Sequence, residues 1–194
     1  MRKLGRGDLL SLESYAAQRA AIRARLIEHR RARRLAVGAH CTWSFEDRET
    51  IRYQVQEMLR AERIFEAAGI DAELAAYNPL IPDGSNLKAT LLIEYPDPAE
   101  RAQRLHELRG VERRCWLKVA GHAPVYAVAD EDLDRETPEK TSAVHFLRWE
   151  LTPPMIAALK GGAPLAAGID HPAYAATVDP VAAETRRALL ADLD

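Results

Sequence analysis

Apolar residues never run long enough in this chain to cross a bilayer, and cysteine is nearly absent. The hydrophobic fraction is 47%, but no stretch approaches the roughly 20 residues that a membrane-spanning helix needs. The two cysteines, Cys41 and Cys115, lie far apart without Cys-x-x-Cys spacing, so the sequence indicates no disulfide framework. Because no signal peptide is recognisable, we expect a soluble, cytoplasmic protein with reduced thiols and no membrane partner.

The motifs of common enzyme classes are also missing. The sequence contains no GxxxxGK[ST], GxGxxG, GxSxG or HExxH pattern, and no histidine stands three residues after a glutamate as in di-iron bundles. Asp130, Asp132 and Asp134 have the one-three-five spacing of a calcium loop. Arg135 and Thr141, however, stand where that loop needs glycine and a bidentate glutamate. A solvated acidic loop is the better interpretation.

Lysine is scarce, with five residues against 22 arginines, and positive charge gathers at the N-terminal end. Residues 1–34 carry a net charge of +7, whereas the whole chain is at −2, which leaves −9 for the rest. A basic helix can neutralise nucleic-acid phosphates, but the acidic remainder argues against that function. We expect a plain surface, or a docking face for an acidic partner or for the protein's own acidic body.

Hydrophobic periodicity predicts an α+β fold in a single domain over residues 1–194. Residues 1–34 are expected to form a long Arg-rich helix with Asp8 or Ser11 as its N-cap. Residues 163–194 are expected to form a Pro/Gly/Ala-rich irregular segment followed by a C-terminal helix. The pattern predicts a largely antiparallel sheet of about five strands covered by helices, with strands over residues 37–46, 88–95, 115–119, 125–129 and 143–151.

The helix predicted over residues 49–66 places charged residues inside apolar stripes. At 100° per residue, Glu62 falls in the middle of one stripe and Glu57 lies beside another. The first stripe consists of Ile51, Val55, Met58 and Phe65. We therefore expect Glu62 to be largely buried, and a buried carboxylate is costly unless it is paired, protonated or bound to a ligand. A buried network of ion pairs without a ligand is the alternative.

His145 is the best partner for these carboxylates from elsewhere in the chain. In the strand over residues 143–151 it shares the more apolar face with Leu147 and Trp149. If that face meets the helix, His145 converges with Glu57 and Glu62 on one site. Imidazole with carboxylates suits divalent iron, manganese or zinc, or a general acid–base pair. The alternative is a hydrogen-bonded core histidine.

A second candidate site lies on the opposite, more polar face of the sheet. Strand alternation places Glu46 and Glu94 on that face. A loop that follows a helix leads into the strand carrying Glu94, and functional residues often lie on loops held by rigid elements. We therefore expect Tyr77 or Asn78 to border the main pocket, and we add Arg60 to this second set.

Three segments of the chain together resemble an uncharacterised bacterial family catalogued as domain of unknown function 3501. They read FEDRETIRYQVQEMLRAERI, ELAAYNPLIPDGSNLKATLLIEY and TSAVHFLRWEL, and the resemblance runs from about Tyr15 to the C-terminal HPAY and ADLD segments. No catalytic role comes with it. The family's motif positions are matched here by Phe45, Glu46, Thr50, Gln54, Glu57, Met58, Arg60, Glu62, Glu73, Leu74, Tyr77, Asn78, Pro79, Glu94, His145 and Phe146.

The resemblance implies a physiological setting, not a mechanism. It implies a soluble protein encoded near rubrerythrin-like proteins and iron–sulfur oxidoreductases of the heterodisulfide-reductase type, and hence a redox or peroxide-response pathway. Our leading hypothesis is a protein that binds a metal ion or small ligand through a buried carboxylate/histidine site. The alternative is a non-catalytic accessory protein whose basic N-terminal helix docks onto an iron–sulfur or ferritin-like partner.

Overall fold

The structure is a computed structural model that describes residues 2–131, 135, 137 and 139–194. Asp132 and Asp134, on which the calcium-loop hypothesis depends, lie outside the described residues. The described helices are α1 (Leu12–Arg31), α2 (Arg48–Glu62), α3 (Ala67–Tyr77), α4 (Pro98–Glu107), α5 (Pro153–Lys160) and α6 (Ala183–Leu190). The described strands are β1 (Arg34–Ala36), β2 (Cys41–Phe45), β3 (Asn86–Ile93), β4 (Cys115–Val119), β5 (Val125–Tyr126), β6 (Val128–Ala129), β7 (Val144–Glu150), β8 (Leu165–His171) and β9 (Tyr174–Val178).

These strands form two sheets. The five-stranded sheet has the order β1-β2-β3-β7-β6, and the four-stranded sheet has the order β5-β4-β8-β9. The strand pairings within the described part of the chain are all antiparallel. The predicted α+β class with antiparallel pairing is therefore confirmed, although the strands divide between two sheets. Residues 125–129, predicted as one strand, divide at Ala127, so that β5 joins one sheet and β6 the other.

The two sheets bury their apolar faces against each other. Trp43, Phe45 and Trp149 of the five-stranded sheet are fully buried, with ring centroids 4.9 to 6.3 Å apart. The Trp149 indole N–H donates to the Cys115 carbonyl oxygen in the four-stranded sheet at 3.2 Å. Side chains alternate along a strand, so the intervening residues point to the outer face of the five-stranded sheet. Helices α2 and α3 lie over that outer face.

The helical layer has a small apolar core of its own. Helix α2 begins at Asp47, whose Oδ1 accepts hydrogen bonds from the backbone N–H groups of Glu49 and Thr50, both at 2.9 Å. Capping of this kind satisfies donors that the first helical turn leaves unpaired. The buried side chains of this second core are Leu4, Ile51, Val55, Leu59, Leu74 and Ile81.

The helix predicted over residues 49–66 ends earlier than expected. Arg63 adopts the left-handed conformation with φ of 57°, and the Ile64 N–H bonds to the Leu59 carbonyl oxygen at 2.9 Å. This geometry ends a helix and satisfies its last carbonyl groups. The chain therefore turns after Glu62 and starts α3 at Ala67.

Residues 163–180, expected to be irregular, contain the hairpin of β8 and β9. Strand propensity missed most of this segment because it is rich in alanine and proline rather than in β-branched or aromatic residues. Its small residues reflect close packing: a Cβ atom on Gly168 would lie 2.3 Å from the Trp116 ring on neighbouring β4. The small residues that predicted an irregular segment therefore allow β8 to lie close to Trp116 of β4.

The predicted N-terminal helix is present as α1, with Ser11 as its N-cap. The Ser11 hydroxyl oxygen accepts the Ser14 N–H at 3.2 Å, and the helix buries Tyr15 and Leu26. Its other residues are exposed or half-buried. No described helix combines the length and the apolarity needed to cross a bilayer.

Candidate functional site

Glu57, on α2, is held in an ion-pair cluster with α1. The Tyr15 hydroxyl donates to Oε1 at 2.6 Å, and Arg19 donates to both carboxylate oxygens at 2.8 Å. Arg60, from the second candidate set, lies 3.4 Å away on the same helix and is largely solvent-facing. The hydrogen bond from Arg19 is the main cause that lowers the pKa of Glu57 to about 2. Arginine and tyrosine therefore satisfy this carboxylate within the helical layer.

Glu62 is exposed, so the prediction that it is largely buried is wrong. Its azimuth on the helix matches that of the buried Ile51 and Val55, as the projection indicated. However, Glu62 is the last residue of α2, and the chain reverses directly after it. Phe65, which helped to define the predicted stripe, lies beyond the helix and is 73% exposed.

His145, on β7, is fully buried between the two sheets. Its Nδ1 lies 2.6 Å from Oδ2 of Asp130, and its Nε2 lies 2.9 Å from the Thr141 hydroxyl and 3.0 Å from the Ser142 carbonyl oxygen. Burial raises the pKa of Asp130, but hydrogen bonds from His145 and from the Phe146 N–H outweigh it, and the pKa is lowered. The imidazole therefore holds the chain before β7 against the sheet.

The structure does not bring His145 together with Glu57 and Glu62. His145 pairs with Leu91 in a row on the inner face of the five-stranded sheet, whereas α2 lies over the outer face. The sheet therefore separates the histidine from the helix. Alternation shows which residues share a face, but not which face a helix will cover. Among the described residues, no group of three or more His, Cys, Asp or Glu side chains is arranged to hold a metal ion.

The outer face of the five-stranded sheet, the second candidate region, contains a groove beneath the helical layer. Two pockets with volumes of about 300 and 200 Å³ lie there, and Glu46, Leu80 and Phe146 line both. We call them the wider and the narrower pocket of the outer groove. Strand register places Ser44, Thr90 and Phe146 in one row across its floor.

Glu46 lies where the two pockets meet. This residue directly follows β2 in the sequence and is nearly buried, with 8% exposure. The Thr90 hydroxyl donates to Oε1 at 2.8 Å, while Oε2 has no hydrogen-bond partner among the described residues. Because Oε2 is not sealed from the groove, a donor group bound there can reach it and form a charge-assisted hydrogen bond.

The wider pocket also offers a donor. The Nε atom of Arg30 is buried and lacks a hydrogen-bond partner in the described part of the chain. The guanidinium lies 6.0 Å from the centroid of the Tyr53 ring, which supports its position by a cation–π contact. Arg30 and Glu46 thus line one pocket as donor and acceptor, with Gln54 as a further polar group.

Cationic side chains line the narrower pocket. Arg148 pairs with Glu131 at 2.8 Å and with Glu150 at 2.7 Å, so its charge is balanced. Lys88 donates from Nζ to the Pro79 carbonyl oxygen. Burial is the largest cause of the lowered pKa of Lys88.

The remaining members of the second set lie in different surroundings. Tyr77 lines the wider pocket. The Asn78 side chain instead bonds to both backbone polar groups of Leu4, accepting from the N–H at 2.8 Å and donating to the carbonyl oxygen at 2.9 Å. Glu94 is exposed and accepts a hydrogen bond from the Thr42 hydroxyl at 2.7 Å. Of this set, Glu46 and Tyr77 line the outer groove.

Several groove residues were not among the candidates from the sequence. Arg30, Lys88 and Thr90 all line the outer groove. Lys88 and Thr90 alternate along β3 with the buried Leu87, Ala89 and Leu91, so they point away from the core. Recognising them as part of a site requires the register between strands and the side on which the helices pack, and neither is encoded locally.

Comparisons with known proteins agree with the resemblance seen in the sequence. A family model described as "Protein of unknown function (DUF3501)" matches residues 3–193. The chain is similar to a novel protein of unknown function from Burkholderia pseudomallei K96243, seen in a crystal structure, with 52% identity and a TM-score of 0.94 over 100% of both chains. No curated protein matches. The predicted family is therefore confirmed, and the chain belongs to the DUF3501 family of proteins of unknown function.

Proposed function

We propose that the outer groove binds a small organic molecule that donates a hydrogen bond, from an amine or a hydroxyl group, to Glu46. The observation that carries this proposal is the position of Glu46, a nearly buried residue where the two pockets meet, whose Oε2 accepts no hydrogen bond from the described residues. A ligand donor at this atom would form a charge-assisted hydrogen bond, which is stronger than one between neutral groups.

The walls define the kind of ligand further. Leu80, Leu92 and Phe146 provide apolar surface, while Arg30 offers a buried donor to an acceptor group on the ligand. Concave sites with mostly apolar walls and a few placed polar groups are typical of small-molecule binding. The ligand we propose is compact and amphipathic, with a donor for Glu46 and an acceptor or anionic group for Arg30.

The metal-binding form of the hypothesis receives less support from the geometry. It required Glu57, Glu62 and His145 to share iron, manganese or zinc, and these three side chains lie apart. A role in a redox or peroxide-response pathway rests on the family resemblance alone. We therefore propose that the protein binds a small ligand, and that the binding site is the outer groove.

A fragment screen by ligand-observed NMR tests the proposal, with small amines, amino acids and amino alcohols as probes. The variant is Glu46→Gln, and the matched control is Glu62→Gln, which changes an exposed glutamate. We expect probes that bind the unmodified protein and the control alike, and that lose about tenfold or more in affinity on Glu46→Gln. Equal binding to both variants, or no binding to any of the three proteins, would refute the proposal.

The second candidate function is docking through α1, favoured by one observation. This helix leaves Arg23, Arg31 and Ile27 exposed on the surface, and Ile27 is 53% exposed. We propose an acidic partner of the iron–sulfur oxidoreductase or rubrerythrin-like type. Binding of such a purified partner should weaken on the double change Arg23→Glu and Arg31→Glu and should persist with Glu62→Gln. Unchanged binding by the double variant would eliminate α1 as the docking surface.

A further inference from the structure

Lys88 is one of only five lysines in the chain, and it lies in the outer groove. It stands on β3 beside Arg148 of β7 and points to the outer face of the sheet. The side chain is half-buried and lines the narrower pocket, a space of about 200 Å³. Ala76, Pro79 and Leu80 form apolar wall around it.

The surroundings of Lys88 do not hold its ammonium group as an ion pair. Nζ donates to the Pro79 carbonyl oxygen, and the described residues offer it no carboxylate at ion-pair distance. A second lysine, Lys3, donates to the nearby Ile81 carbonyl oxygen at 2.7 Å. Both amines therefore bond to neutral oxygens of the same short loop.

The charges around Lys88 come from the loop, the N-terminal segment, β7 and Glu131 after β6, and Glu46 lines the same pocket. Burial lowers the pKa of Lys88 most, and the positive charges of Lys3 and Arg148 lower it further. Asp83 and Glu131 act in the opposite direction, but the net pKa is lowered. A lysine beside another cation and partly removed from water has a larger neutral fraction at neutral pH, and the neutral amine is the nucleophilic form.

We propose that Lys88 is a nucleophilic amine that forms an imine with a small, uncharged aldehyde or ketone bound in the narrower pocket. This inference rests on the proposed function, since the outer groove must admit a small molecule. An uncharged carbonyl compound suits the site because Glu131 and Glu150 already balance the charge of Arg148. The apolar side chains of Ala76, Pro79 and Leu80 around the amine favour a ligand whose carbonyl group carries a hydrocarbon substituent.

The step balances without a further reactant. The Nζ lone pair attacks the carbonyl carbon and forms a carbon–nitrogen bond, giving a carbinolamine. The carbon–oxygen bond then breaks, and the oxygen leaves as water with the two protons that the neutral amine carried. The product is a carbon–nitrogen double bond between the ligand and Lys88. No electron donor or acceptor is needed.

Reductive trapping tests the proposal directly. The full-length protein is incubated with butanal and sodium cyanoborohydride at a series of pH values, and alkylation of each lysine is measured by peptide mass spectrometry. Lys118, exposed on β4, is the internal control. We expect Lys88 to be alkylated about tenfold faster than Lys118 at pH 7, because its lowered pKa leaves more of the amine in the neutral form. The excess labelling of Lys88 should shrink as the pH rises, because protonation then no longer limits the reaction.

Alkylation of Lys88 no faster than that of Lys118 at pH 7 would overturn the imine proposal. Lys88→Arg should abolish labelling at this position while leaving Lys118 unchanged, which verifies the assignment of the peptide. The trapping result is separate from the NMR screen. Probes that depend on Glu46 without preferential labelling of Lys88 would retain the binding function and reject the imine.

Discussion

Arg33 donates two hydrogen bonds to the carboxylate of Asp192, each at 2.8 Å, where both side chains are buried. The same guanidinium has its Nε 2.9 Å from Oδ2 of Asp47, the N-cap of α2. His29 of α1 lies 2.6 Å from that carboxylate oxygen. One ion cluster therefore joins the start of the five-stranded sheet, the helical layer and the last residues of the chain.

Removing Asp192 should destabilise the fold strongly. Asp192→Ala removes the carboxylate that accepts two hydrogen bonds from the buried Arg33 and leaves Asp47 as its remaining acidic partner, and removing one partner of a buried ion pair costs about 3 kcal/mol or more. Urea unfolding measures the loss. The control is Asp71→Ala, which removes the exposed pair with Arg6 and should cost about 1 kcal/mol or less. Equal effects of the two changes would contradict this account of the cluster.

The ion pair of Glu57 should make stability depend on pH in the acid range. The pKa of Glu57 is lowered from 4.5 to about 2 in the folded protein. Its contribution is therefore fully present above the unfolded-state pKa and is lost as pH falls from about 4.5 towards 2.

Glu57→Gln should accordingly reduce stability at pH 7 by about 1 kcal/mol, a modest value because solvent screens the partly exposed pair with Arg19. The difference from the unmodified protein should vanish near pH 2. Glu62→Gln, at the exposed end of the same helix, should change stability by less than about 0.5 kcal/mol at either pH. A Glu57→Gln effect that persists unchanged at pH 2 would count against the ion pair.

His145 should be structural, and its loss should remove one of the groups that hold the Asp130 carboxylate. His145→Ala leaves that carboxylate with Arg135 at 3.2 Å and the Phe146 N–H, and we expect a loss of about 3–5 kcal/mol in unfolding free energy. His122→Ala, in the turn between β4 and β5, is the matched histidine control. The double variant with Asp130→Ala should lose less than the sum of the single changes. Additive losses would show that the two side chains are not coupled.

Gly168 should be sensitive to a single added methyl group. Gly168→Ala places a Cβ atom 2.3 Å from the Trp116 ring, so the ring or the strand must shift at a cost of about 1–3 kcal/mol. Gly7→Ala is the control, because no atom lies within 4 Å of the added carbon there. Thermal unfolding that is equally unaffected by both changes would disprove close packing between β4 and β8.

The fold class followed from features that are local in the sequence. Alternation predicted a strand over residues 37–46, which contains β2, and one of the two predicted N-caps, Ser11, begins α1, because strand faces and helix caps depend on neighbouring residues. The hairpin of β8 and β9 was not predicted, because small residues have little strand propensity. The need for a small residue at Gly168 is visible only when the position of the Trp116 ring is known.

The candidate site was harder to predict because it depends on how layers stack. Glu62 has the azimuth of a buried residue, but the position of the helix end decides its exposure. His145 lies on the core face as alternation indicates, yet the helix carrying Glu57 packs on the other side of the sheet. Glu46 and Tyr77 were predicted as members of the second candidate site. The sheet face of Glu46 and the position of Tyr77 next to a loop can both be deduced from neighbouring residues.

Two hydrogen bonds between the Asn78 side chain and the backbone of Leu4 fix the position of one wall of the outer groove. In the sequence, Asn78 lies between Tyr77 and Leu80, which both line the wider pocket. Lys3 donates a hydrogen bond to the Ile81 carbonyl oxygen of the same loop. The first residues of the chain thus set the position of a wall that they do not themselves form. We therefore expect a change at this end of the protein, even an appended peptide, to alter the width of the outer groove.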